Sequence, residues 1–314
     1  KNLINNKNYS QDYLSKLCKK ITSVYIIAIK KAFNIFEDKI DVISLHGQTI
    51  YHSACEKKSL QIIDARKISN YFKVPVVFNF RANDLKNGGQ GAPLAPIYHK
   101  YLISKNNING PACFINIGGI SNLTYIDDKN IIGFDTGPGN VLINDFVQLK
   151  TKHLYDNLGE FSKLGSKDNK VLNEFISHSF FLKKFPKSAD RNEFHEVFLN
   201  ENFKKLNFYN QISTLTHFTS TTIINSLKFL PKYPKYLLIC GGGQHNKSLI
   251  KYLKSSTTAK VVLSNQIKIN GDFLEAHLMA YLALRSIKNL PITFPQTTGV
   301  KKPTSGGEII YPSI

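Results

Sequence analysis

Hydrophobic and polar positions alternate with helical period over residues 9–36, which predicts one long helix. A short apolar run at 41–45 reads as a strand ending in His46-Gly47-Gln48-Thr49, and a hairpin-like segment runs through 50–51 and 60–63. Asp64 stands where an N-cap belongs, before a helix over 65–73. Residues 74–78 form another strand. The segment 79–96 reads as a loop without secondary structure of its own, and such loops inside a compact domain usually carry function. A helix is expected at 94–104. Strands follow at 112–117, 121–126 and 131–134, then helices at 139–150, 168–181 and 210–230. A buried-type strand at 236–240 runs into Gly241-Gly242-Gly243, then come a helix at 246–254, a strand at 259–263 and a helix at 272–288. Strand, Gly-rich turn, helix, strand is an α/β crossover, with a ligand expected at the carboxyl end of the strand. The tail 290–314 is rich in Pro, Gly and Thr and reads as coil.

Two turns in this pattern carry chemistry. In INIGGISNLTYI at 115–126, Gly118-Gly119 joins two strands, and adjacent glycines let backbone N–H groups approach a bulky anion. In GFDTGPGN at 133–140, Asp135 ends a strand and Thr136-Gly137-Pro138-Gly139-Asn140 leads into a helix. A carboxylate, a hydroxyl and helix N-terminal amides would then converge, as phosphoryl transfer requires. Two purely structural hairpin turns would share the pattern of either turn taken alone.

Composition narrows the classes. The 314 residues carry 42% hydrophobic side chains, enough for a substantial core, and a formal net charge of +19. The lysines are scattered in pairs, and arginine, the usual base reader, is scarce, which argues for a solvated basic surface and against nucleic-acid binding. Such a surface still attracts anionic substrates. Cys18, Cys55, Cys113 and Cys240 lie far apart and read as reduced, mostly buried thiols of a cytoplasmic protein. His46 and His52 lack partners at zinc-ligand spacing, so no protein metal site is expected. The run from Val24 to Ile29 is too short to span a bilayer.

Taken in order, GGQGAP, NIGGISN, FDTGPGN and CGGG resemble the anhydro-N-acetylmuramic acid kinases, bacterial sugar kinases, over residues 40–312. The resemblance implies an α/β chain with a two-domain actin-like ATPase (ribonuclease H-like) fold and the nucleotide in the interdomain cleft. The domains would be 1–108, an incomplete sugar-kinase half, and 109–314, an ATP-binding half whose last helix and tail are candidates to return to the first. It implies hydrolysis of the 1,6-anhydro ring with phosphorylation of O6, giving N-acetylmuramic acid 6-phosphate in peptidoglycan recycling and amino sugar catabolism. Asp135 would be the general base. Gly118, Gly119, Thr136, Gly137, Gly139 and Asn140 would cradle phosphates, and Gly241, Gly242 and Gly243 would lie against the adenosine. Thr49, Arg81, Asp84 and Glu275 would bind the sugar. ATP and Mg²⁺ are the implied cofactors, and a homodimer is the implied assembly, with neither nucleic acid nor membrane as partner.

The chain departs from the family pattern at its beginning. Nothing matches the SGTSLDG-like loop that grips phosphates from the first domain, so strands of the first sheet are expected to be missing. Two readings follow: a fragment of a longer gene product, or a sugar- or nucleotide-binding pseudokinase. On either reading the 314-residue chain alone is expected to be poorly soluble and weakly active. Asn79 stands where an Asp is usual, Ile63 replaces a Gly, and Arg191 in PKSADRNEF keeps the family's Arg without the Thr-Gly beside it.

Overall fold

The computed structural model describes residues 9–190, 192–267, 269 and 271–313. Arg191 lies outside them. Ser10 opens helix α1 (Gln11–Phe33) by accepting the Tyr13 N–H on its hydroxyl at 3.2 Å. Tyr25, Ile26, Ile29 and Phe33 of α1 pack on a core of Ile43, Leu45, Ile68 and Val76. Strand β1 (Ile43–Ser44) is followed by the antiparallel hairpin β2 (Gln48–Ser53) and β3 (Lys58–Ile62). Asp64 caps α2 (Ala65–Phe72), its carboxylate accepting the Lys67 N–H at 2.8 Å. Strand β4 (Val76–Phe78) lies parallel to β1. The segment expected to be a featureless loop contains a helix, α3 (Ala82–Lys86), before α4 (Pro96–Lys105).

Two units divide the chain, one comprising residues up to Tyr98 together with Phe273–Ile314, the other His99–Asp272. The second unit is built on a five-stranded mixed sheet. Strands β5 (Ala112–Ile117), β6 (Ile120–Ile126) and β7 (Ile131–Pro138) form an antiparallel meander. Helices α5 (Val141–Lys150), α6 (Glu160–Leu164), α7 (Asn169–Ile176), α8 (Glu201–Lys204) and α9 (Phe208–Ser226) follow. Strand β8 (Tyr236–Cys240), helix α10 (Lys247–Ser255) and strand β9 (Lys260–Leu263) complete the unit. The strand order is β7-β6-β5-β8-β9, with β5, β8 and β9 parallel. Leu237, Leu238 and Ile239 are fully buried, as a strand covered on both faces requires, hence the unbroken apolar run.

Helix α9 lies in this interior although it is rich in Thr and Ser. The hydroxyls of Thr214, Thr216 and Ser226 donate to carbonyls four residues back, so their polarity is satisfied inside the helix. A phenylalanine-rich core, including Phe146, Phe175, Phe180, Phe181, Phe203 and Phe218, packs around it. A second core beneath the sheet holds Ile115, Ile117, Phe134, Ile239 and Leu249.

The chain then returns to the first unit through α11 (Leu274–Ile287), α12 (Pro295–Thr298) and β10 (Glu308–Ile310). Strand β10 adds antiparallel to β4 in a sheet of order β1-β4-β10. The tail expected as coil therefore contains a short helix and a sheet strand. Two other boundaries move. Helix α7 ends at Ile176, short of the expected 181, and β7 runs to Pro138, so Asp135, Thr136 and Gly137 are strand residues.

Candidate functional site

In the second unit, three loops meet at the carboxyl ends of β5 and β8. The β5–β6 turn carries Gly118 and Gly119, the β7–α5 junction carries Gly139 and Asn140, and the β8–α10 turn carries Gly241, Gly242 and Gly243. Their contact is close enough to exclude side chains. A Cβ on Gly139 would stand 2.3 Å from the Gly118 carbonyl oxygen. One on Gly241, whose φ is +76°, would meet Asn116 Oδ1 at 2.3 Å, and one on Gly243 would meet Ile117 at 2.3 Å. Asn140 reinforces the junction, its Nδ2 donating to the Ile117 carbonyl at 3.0 Å.

The other three glycines differ. A Cβ on Gly118, Gly119 or Gly242 would find its nearest neighbour at 3.5, 4.0 and 3.7 Å, which is ordinary contact. Protein packing therefore does not require glycine at these positions. Beside Gly242 opens a cavity of about 490 Å³ lined by Asn140, Ile143, Asn144, Tyr155, Asp156, Asn157, Leu158, Gly242, His245 and Asn246. Its walls are pinned: Asp156 accepts the N–H groups of Phe161 and Ser162 at 2.7 and 3.1 Å, and Asn246 caps α10 through the Leu249 N–H at 3.0 Å.

The start of α5 corrects one expectation. The N–H groups of Gly139, Asn140 and Val141 donate to the carbonyls of Gly119, Gly118 and Gly119 at 2.8, 2.7 and 3.1 Å. The hairpin thus caps the helix, and these amides do not converge on an external anion. Thr136 and Gly137 also face inward. The Thr136 hydroxyl donates to the Ser121 carbonyl at 3.2 Å, and a Cβ on Gly137 would meet Phe181 at 2.7 Å.

Asp135 sits on the edge strand β7, held by a strap at residues 187–189. Its N–H donates to the Lys187 carbonyl at 3.0 Å, and its Oδ2 accepts the Ala189 N–H at 2.9 Å. Burial pushes its carboxyl from an ordinary 3.8 up to about 6. The negative charge of Glu193 adds to that rise, while the Ala189 amide and the Lys187 charge oppose it. A half-buried carboxylate that ionises close to neutrality is suited to general base work.

In the first unit, Arg81, Asp84 and His46 come together. Arg81 Nε donates to His46 Nε2 at 3.1 Å, and its Nη1 donates to the Gly91 carbonyl at 2.8 Å. His46 Nδ1 lies 3.0 Å from the Gly47 carbonyl, which can only accept, so the proton sits on Nδ1. Burial, and then the Arg81 charge, lower the His46 pKa, which keeps the ring neutral. Asp84 is 1% exposed; its Oδ2 accepts the Gly91 N–H at 2.6 Å and its Oδ1 accepts the Thr298 hydroxyl at 2.7 Å. Asp84 thereby closes the 84–91 loop onto α12. Glu275, exposed in the first turn of α11, reaches His46 electrostatically. Thr49 stands on the β2–β3 hairpin, where its hydroxyl accepts from Gln61 Nε2 at 3.3 Å.

Residues 2–312 match the family model described as "Anhydro-N-acetylmuramic acid kinase". The chain belongs to the anhydro-N-acetylmuramic acid kinase family. A relative bearing that name in Pelagibacter ubique is 38% identical over 307 residues, which cover 95% of this chain and 81% of the relative. One in Rhodopseudomonas palustris is 39% identical over 280 residues, covering 88% and 76%. The structure also overlays a ROK family glucokinase from Streptomyces griseus at a TM-score of 0.33 and 11% identity, covering 81% of this chain and 83% of that one, a likeness too slight to bear on function. As a member of the kinase family the chain is an enzyme of the phosphotransferase class.

Several residues of this candidate site carry no clear signal in the sequence. His46 stands in the strand-end segment 46–49 and orients Arg81, and His52 packs beside Gly91; neither serves a metal cluster among the described residues. Lys187 and Ala189 lie in PKSADRNEF, where neither carries a local signal. Tyr155, Asn157 and His245 line the cavity, and no local pattern marks the first two. Among the described residues no group of three or more His, Cys, Asp or Glu side chains is placed to hold a metal ion, and no helix is long and apolar enough to cross a membrane.

Proposed function

We propose that this chain is the ATP-dependent kinase that opens the 1,6-anhydro ring of anhydro-N-acetylmuramic acid and phosphorylates O6. The product is N-acetylmuramic acid 6-phosphate, which places the reaction in cytoplasmic recycling of peptidoglycan. The observation that carries the proposal is Asp135, a half-buried carboxylate with its pKa raised to about 6, fixed by two backbone hydrogen bonds on the strand that leads into the glycine-lined turn.

Asp135 takes a proton from water as the water oxygen bonds to the anomeric carbon. The bond from that carbon to O6 breaks, and O6 accepts the γ-phosphoryl group as ADP leaves. Glycines 118, 119 and 242 suit a nucleotide because each leaves open the volume a side chain would fill. The cavity beside Gly242 has the size and mixed lining of a purine pocket. Mg²⁺ binds chiefly through phosphates and water, so it needs few protein ligands, and when bound it neutralises phosphate charge. Arg81, oriented by His46 and Gly91, suits the substrate's lactyl carboxylate. Thr49 and Glu275 supply further groups for its hydroxyls, whereas Asp84 supports the loop that presents Arg81. We also place Gly139, Gly241, Gly243 and Asn140 in the nucleotide site as its frame, with Thr136 and Gly137 behind them. A homodimer is part of the same reading.

The test is phosphoryl transfer from Mg-ATP to the anhydro-sugar by the full-length protein and its Asp135→Asn variant. Turnover in the wild type, lost by a factor on the order of 10²–10⁴ in the variant with ATP binding retained, is the expected result. Undiminished turnover in the variant refutes the base assignment. Binding of sugar or nucleotide without turnover in the wild type makes the chain a binding protein instead.

A further inference from the structure

The strap that holds Asp135 is itself anchored by one side chain. Lys187 is only 8% exposed, which is rare for a lysine. Its Nζ stands 4.6 Å from the ring centroid of Phe180, 5.2 Å from that of Phe229 and 5.8 Å from that of Phe134. It donates to the Phe180 carbonyl at 3.2 Å. These rings come from three places: Phe180 from the 3-10 turn at Ser179–Leu182, Phe229 from the one at Leu227–Phe229, and Phe134 from β7, next to Asp135. Each contact is cation–π in kind and strengthened by exclusion of water. The backbone of the same residue accepts the Asp135 N–H, and two residues on the Ala189 N–H meets the Asp135 carboxylate.

We infer that Lys187 is the positioning residue of the base: its caged ammonium fixes the 187–189 strap, whose backbone holds both the N–H and the carboxylate of Asp135. The inference rests on Asp135 being the base. Burial and the neighbouring Lys228 and Lys183 press the Lys187 pKa down to about 8, and the Asp135 charge resists. The ammonium is therefore present where the enzyme would work, near neutrality. Around Asp135 the titratable neighbours are Lys187, which favours its ionised form, and Glu193, which disfavours it. Removing the lysine charge leaves only the Ala189 amide to oppose burial and Glu193.

The experiment is the pH profile of kcat and kcat/KM with the anhydro-sugar and Mg-ATP, for wild type, Lys187→Met, Lys187→Arg and Asp135→Asn. In Lys187→Met the acidic limb is expected to move to higher pH, with kcat reduced and KM for ATP little changed. Lys187→Arg keeps a charge that stacks on rings, so its limb is expected to stay in place. An unmoved limb in Lys187→Met, a loss confined to KM for ATP, or a shifted limb in Lys187→Arg overturns the inference. Should Lys187→Met fail to fold, Lys187→Arg and Phe229→Leu carry the test: both keep the charge, but Phe229→Leu opens the ring cage, so it is expected to lower kcat while Lys187→Arg is not, and a wild-type kcat in Phe229→Leu counts against the proposal. Persistent turnover in Asp135→Asn is a different outcome, because it removes the base assignment itself.

Discussion

Asp135→Asn is expected to stabilise the protein as it inactivates it, and the size of the effect follows from burial. The folded structure raises this carboxyl from 3.8 to about 6. Each pH unit of such a difference corresponds to about 1.4 kcal/mol, so the native state carries about 3 kcal/mol against the ionised form at neutral pH. The sign follows from linkage. A carboxyl with a raised folded pKa holds its proton more tightly when folded, so its contribution to wild-type stability falls as pH rises from about 4 to about 6 and is level above that. Asparagine keeps an oxygen for the Ala189 N–H but never ionises. The variant's advantage should therefore vanish below about pH 4, reach about half its value near pH 5, and be complete above pH 6, at about 1–3 kcal/mol. Urea unfolding of both proteins near pH 5 and near pH 7.5 measures this directly. A variant less stable than wild type near pH 7.5, or a difference that is the same at both pH values, refutes the reasoning.

The glycines make a paired prediction. Gly139→Ala drives a Cβ to 2.3 Å from the Gly118 carbonyl oxygen and should cost about 1–3 kcal/mol in unfolding free energy. Gly242→Ala meets nothing nearer than Asn140 Nδ2 at 3.7 Å, so its stability should stay within about 0.5 kcal/mol of wild type while ATP affinity, measured by calorimetry, falls. Equal melting temperatures for the two variants would contradict the division of glycines into frame and cradle. Asp84→Ala leaves the Gly91 N–H and the Thr298 hydroxyl unpaired in a buried site, and should destabilise by about 2–4 kcal/mol in a thermal melt. A change below about 0.5 kcal/mol would show that the loop closes without it.

Much of the architecture could be read along the chain because its signals are local. Asp64 acts as an N-cap through a bond to a residue three positions away, and the apolar run of β8 reflects a strand covered on both faces. Other elements escaped for physical reasons. Helix α3 is five residues long and lacks a side-chain N-cap. Strand β10 is three residues of a polar tail, and it becomes a strand only by pairing with β4, more than 200 positions earlier. The Gly-rich turn before α5 looks the same whether its amides meet a ligand or the carbonyls of Gly118 and Gly119, and the fold chose the carbonyls. Lysine 187 reads as one more basic surface residue until three rings enclose it.

The order of strand, glycine turn and helix, and the presence of one acid ahead of a Gly-rich turn, were determined by the sequence itself. Backbone freedom and hydrophobic period act between neighbours. Which glycines frame the site and which leave room for a ligand was decided only by the tertiary structure. So was the pKa of Asp135, because the burial that raises it exists only in the folded chain and the strap at Lys187–Ala189 that moderates it reaches Asp135 from up to 54 positions away. Proximity of that kind has no trace in local pattern, since it exists only once the core has closed.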